Sequence, residues 1–153
     1  MFMRQLLFIT IMLSVLTIGP IRGEYDFKVS EDYDQTNVTI SELKDKVRNI
    51  QSKADINSYL GKNYQVIRGE MYNNIVWRFD IYPVTSYQYT SEYDRIDMEG
   101  LQEGLVKYQV FINFGGDENT IISKSIYYCD NGGNVREVKY IDNTEREEII
   151  FSR

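Results

Sequence analysis

From Tyr64 onward side-chain character alternates with a period of two, and that alternation, cut by turn sequences, commits the rest of the chain to antiparallel strands. Residues 64–68 read as a first strand and Gly69-Glu-Met-Tyr-Asn-Asn74 as a turn. In a second strand over 75–82, Ile75, Trp77, Phe79 and Ile81 share one face while Arg78 and Asp80 take the other. Pro83 stops it. Alternation resumes over 105–114, and Gly115-Gly-Asp-Glu-Asn119 supplies turn chemistry before a strand over 121–128. Asp130-Asn-Gly-Gly-Asn134 is a strong hairpin signal, because Asn and Gly tolerate the positive φ angles of tight turns. Residues 135–141 follow as a strand, and Ile149-Ile-Phe151 adds a last edge.

Upstream the period is helical. Thr39-Ile-Ser-Glu42 has capping-box spacing, and Ile40, Leu43, Val47 and Ile50 form one apolar stripe behind it. Ser52-Lys-Ala-Asp55 repeats the cap, and Gly61 ends a second short helix in a left-handed conformation. The expectation is an α+β domain over residues 39–153: two N-terminal helices packed on an antiparallel meander sheet of four to five strands.

The first residues carry a different message. One arginine, Arg4, precedes an apolar run over residues 6–18, too short to span a bilayer as a helix but the length of a secretory core segment. Residues 1–23 are read as a signal peptide and 24–38 as an acidic, flexible arm, placing the chain in the secreted or cell-envelope compartment. Retention of the segment as an N-terminal anchor is the alternative. Asn37-Val38-Thr39 is a glycosylation sequon. The single cysteine, Cys129, excludes an intramolecular disulfide, so the fold rests on its core. Seventeen basic and 23 acidic residues give a net charge of −6, and losing Arg4 and Arg22 with the leader leaves −8. Such a surface repels nucleic acid and anionic lipid.

The chain has no histidine, which removes the imidazole-dependent nucleophile and zinc sites. Asp130, Asn131 and Asn134 bring too few oxygens for a calcium loop, and Gly115-Gly116 and Gly132-Gly133 lack phosphate-loop spacing. No enzyme activity, cofactor or metal is expected. Thirteen tyrosines remain. Tyr82, Tyr87, Tyr89 and Tyr93 fall in or beside a long connection rich in Ser, Thr and Gln, a composition suited to protein contacts. They are the candidate partner-binding residues. Alternation of Tyr87 and Tyr89 as an ordinary half-packed strand is the other reading.

Ile50, Asp55-Ile56, Leu60-Gly61 and Trp77 carry a resemblance. Residues 40–114 resemble the SmpA/OmlA-type domain of outer-membrane assembly lipoproteins, whose two-helix, three-strand order is shared by β-lactamase inhibitory proteins. The chain departs from that pattern at Gln51-Ser52 and Lys62-Asn63, and it lacks the lipobox cysteine. The resemblance implies a fold more than an activity. The sequence thus points to a secreted, monomeric protein-interaction module of inhibitor or immunity type. The alternatives are an extracellular carboxylate-dependent hydrolase and an envelope structural protein.

Overall fold

Each helix starts where the sequence supplies a cap. In the computed structural model, which describes residues 37–82, 86–142 and 144–152, the Thr39 hydroxyl accepts from Glu42 N and the Glu42 carboxylate accepts from Thr39 N at 2.8 Å. Helix α1, Ile40–Arg48, follows. Ser52 Oγ accepts from Asp55 N at 3.2 Å and opens α2, Lys53–Leu60, which Gly61 ends at φ 77°. The expected signal peptide, and the arm up to residue 36, lie outside the described residues. Val38, the last position of that arm, is buried with the core.

Six strands make one antiparallel sheet in chain order: β1 Gln65–Arg68, β2 Ile75–Ile81, β3 Tyr108–Phe114, β4 Ile121–Cys129, β5 Val135–Ile141 and β6 Thr144–Phe151. A third helix, α3 Met98–Glu103, lies in the connection between β2 and β3. This corrects the expected α+β architecture of two N-terminal helices on a sheet of four to five strands. The described residues are mostly β, with helices of only nine, eight and six residues among them. The physical reason lies largely at the C-terminus. The expected short edge at 149–151 extends into an eight-residue strand paired with β5 from Ile141↔Thr144 to Val135↔Phe151. Its charged half is held by ion pairs from α1, Lys44 to Glu147 at 2.7 Å and Arg48 to Glu145 at 2.6 Å.

Alternation gives the sheet two unlike faces. The first carries Phe79, Ile81, Val110, Ile112, Phe114, Ile126 and Val138, buried in one cluster with Leu43, Val47, Ile50, Ile56 and Leu60. Half-buried Trp77 stacks on Tyr64 at 4.1 Å and meets Phe114 edge-on. Lys124 reaches across this face, donating to the carbonyls of Arg48 and Ile50 at 2.9 and 2.8 Å, and its burial lowers its pKa.

The β4–β5 hairpin turns on Asp130, whose carboxylate accepts from Arg136 Nε at 2.6 Å and from the amides of Asn134 and Gly132. These bonds, the arginine's first, hold the carboxyl down at about 2. A depressed folded-state pKa stabilises above the unfolded value of about 3.9 and is lost as pH falls through the folded one. The gap in melting temperature between the wild type and Asp130→Asn should therefore be constant above about pH 4 and narrow towards pH 2. Thermal melts read by circular dichroism across that window test this.

Candidate functional site

The second sheet face mixes a small apolar cluster, Ile67, Val76 and Phe111, with polar residues. Register sets Gln65, Arg78, Phe111, Ser125 and Lys139 in one cross-strand row and Asp80, Gln109, Tyr127 and Glu137 in the next. Polar groups in such positions normally face water. Here Arg78 and Gln109 are both 0% exposed. The connection from β2 to β3 covers them, with Tyr82, Tyr87, Ile96 and Met98 packed around Leu101, Val106 and Val135.

Arg78 is the hub. Its Nε donates to Asp80 Oδ2 at 3.0 Å, and Nη2 donates to Gln65 Oε1 at 2.7 Å and to the Tyr89 carbonyl at 3.0 Å. The Tyr89 ring lies over the guanidinium, 4.8 Å from Cζ. Nη1 is buried with no partner among the described residues. Asp80 Oδ1 accepts from Gln109 Nε2 at 2.7 Å, and Gln109 Oε1 in turn accepts from Asp97 N at 2.7 Å. Burial raises the Asp80 pKa despite the neighbouring arginine.

Asp97 caps α3, accepting from Gly100 N at 2.9 Å, and Tyr87 OH donates to its other oxygen at 2.7 Å. A Cβ at position 100 would collide with the Asp97 carboxylate, so a larger residue there would have to displace the cap. The bond to Asp97 pushes the Tyr87 phenol up to about 12. Between the connection and the end of β2 lies a cavity of about 320 Å³. Tyr64, Tyr82 and Tyr87 wall it, the amides of Asn63, Gln65 and Gln88 line it, and Arg78 with Asp80 close it. Asp80 is the one acid in that lining.

Of the four tyrosines singled out by sequence, three meet here. Tyr82 and Tyr87 stand edge to face at 6.0 Å, and Tyr82 OH accepts from Tyr89 N at 3.1 Å. All three are half-buried. Tyr93 stands apart, 44% exposed, beside Arg95. Its segment runs along the outer edge of β1, with Arg68 N donating to the Glu92 carbonyl and Asp94 N to the Arg68 carbonyl, both at 3.1 Å. Sequence reasoning passed over Arg78, Asp80, Gln65 and Gln109 as site residues. The available signal was the Arg-x-Asp spacing, which puts both charges on the same face of a strand otherwise rich in apolar residues.

A second concavity, about 360 Å³, lies on this same face beside the β1–β2 hairpin. Buried Phe111 and half-buried Tyr127 line it, with Met71, Tyr72 and Ile122 at 80%, 79% and 47% exposure. Tyr127 OH and Ser125 Oγ both donate to buried Glu137. The hairpin is braced by Arg95 on Glu70 at 2.8 Å and by Glu70 N on Asp94 Oδ1 at 2.8 Å. Among the described residues no group of three or more acids or cysteines is placed to hold a metal ion.

No family model, no curated protein and no solved structure matches the chain.

Removing one partner of a buried ion pair strands the other charge, so Arg78→Met should cost on the order of 3–5 kcal/mol. The double variant Arg78→Met/Asp80→Asn should recover part of it, since no bare carboxylate remains. Urea denaturation at neutral pH decides; a single-variant loss under about 1 kcal/mol would contradict the burial described.

Proposed function

We propose that this chain is an exported protein-binding module, of inhibitor or immunity type, that meets its partner with the second sheet face. The observation that carries the reading is the hairpin pair Met71 and Tyr72, almost fully exposed at the lip of a groove floored by Phe111 and Tyr127. Large side chains held out beside a groove with an aromatic floor are what contact surfaces use, since each removes much area from water on binding. The braces from Arg95 and Asp94 support it further, because a fixed hairpin loses less entropy on binding than a loose one. Tyr93 extends the exposed surface. Tyr82, Tyr87 and Tyr89 contribute from behind, by shaping the connection. Export rests on the apolar run at 6–18; no helix among the described residues is long and apolar enough to cross a membrane.

The test is affinity capture from the protein's own extracellular milieu, with wild type and Met71→Ser/Tyr72→Ser as paired baits. Exposed substitutions of this kind shift stability by about 0.5 kcal/mol each at most, so the melting temperature should barely move. The wild type should retain a protein in stoichiometric amount that the variant loses. Equal retention by both baits, or retention by neither, refutes the assignment.

A further inference from the structure

Arg78 has more donors than its surroundings use. Nε and Nη2 are engaged by Asp80, Gln65 and Tyr89, and the two N–H groups of Nη1 are not. Buried donors are satisfied in nearly every folded protein, and an arginine with 0% exposure is the last side chain expected to be an exception. The same residue lines a cavity.

We propose that this cavity is a recognition site for an uncharged planar amide, whose carbonyl oxygen accepts from Arg78 Nη1. Charge selects the class. Asp80 already neutralises the guanidinium and is itself buried, so a carboxylate ligand would place a second anion beside it in a poorly solvated place. A neutral acceptor carries no such cost. The guanidinium already shows this preference: its Nη2 holds two amide carbonyls, one from the Gln65 side chain and one from the Tyr89 main chain. The tyrosine walls give a flat group aromatic faces to lie against, and the exposed amides of Asn63 and Gln88 offer oxygens to its N–H. Nη1 is closed to solvent, so the ligand oxygen reaches it by displacing the exposed Gln88 side chain at the rim while Tyr87 stays on Asp97. The site is independent of the hairpin groove and stands or falls separately.

Nuclear magnetic resonance on the full chain tests it, with acetamide as the probe for a side-chain carboxamide, N-methylacetamide for a main-chain peptide group, and acetate as the anionic control. The readouts are the Arg78 Nε–H signal and the ring signals of Tyr82 and Tyr87. Because Arg78 variants endanger the fold, the blocking variant is Gln88→Trp at the rim. One or both amides should give saturable shifts, several-fold larger than acetate at equal concentration and absent from Gln88→Trp. The stronger of the two identifies the source of the group. Non-saturable or absent shifts, shifts from acetate as large as those from the amides, or shifts surviving in Gln88→Trp overturn the proposal. So does an Nη1 that exchanges contact with water alone and ignores both amides.

Discussion

A charged arginine in the middle of β2, shut off from water, fixes more of this structure than any apolar contact does. Its partners come from three separate places: Gln65 on β1, Asp80 two residues along its own strand, and Tyr89 on the connection. Asp80 then draws in Gln109 from β3. Slipping β1 or β3 by one residue would turn Gln65 or Gln109 to the opposite face and leave a buried charge half-satisfied. The apolar first face tolerates approximate packing far better than the second tolerates a missing hydrogen bond. Buried pairs of this kind add little net stability over apolar residues of the same size. What Arg78 and Asp80 contribute is a single allowed register.

That requirement also explains α3. A six-residue helix has no stability of its own. It forms because Asp97 is held from three sides, by Tyr87 OH, by Gly100 N, and through its own amide by Gln109. Gln109 is in that position because Asp80 binds its other end. The chain of bonds from Arg78 to Asp80, Gln109, Asp97 and Tyr87 thus pins the connection on the sheet. Further along, the Glu92–Asp94 segment pairs with the β1 edge at Arg68, whose amide and carbonyl it occupies.

The sequence was readable wherever a local rule decides the outcome. Both helix caps, Gly61, the strand periods and the Asp130 hairpin are short-range matters of propensity and turn geometry, and each is found in place. Two elements escaped. The first half of β6, Thr-Glu-Arg-Glu-Glu, reads as a solvated run, and it is a strand because its backbone pairs with β5 along its length, with Lys44 and Arg48, about a hundred residues earlier, neutralising its acids. Helix α3 escaped because its apolar residues are too few to show a period. The lengthened β6 turns an expected α+β domain into a mostly β one. The site was legible only as a segment. Tyrosine composition marked the connection, but whether Tyr87 and Tyr89 face water depends on Asp97 and Arg78, and nothing local to residues 82–93 reveals either. Arg78 itself alternates with apolar neighbours as a solvent-facing residue would, and only long-range covering by the connection removes it from water.

Lys124 and Arg78 allow a comparison that bears on where this fold keeps capacity for binding. Both are cations buried on strands of the same sheet, one on each face. Lys124 donates to two main-chain carbonyls at the end of α1 and packs against the Tyr140 ring. The Arg48 carbonyl is an orphan of the helix terminus and needs a donor, so the Lys124 charge completes a structural element. Arg78 also completes structure, through Nε and Nη2, but it keeps a whole nitrogen unengaged beside a cavity. An arginine serving architecture alone gains nothing from that donor and bears the cost of its burial. Selection for stability would replace it with an apolar side chain. The second face bears that cost and carries both the cavity and the hairpin groove, which is why we propose it as the face that meets other molecules.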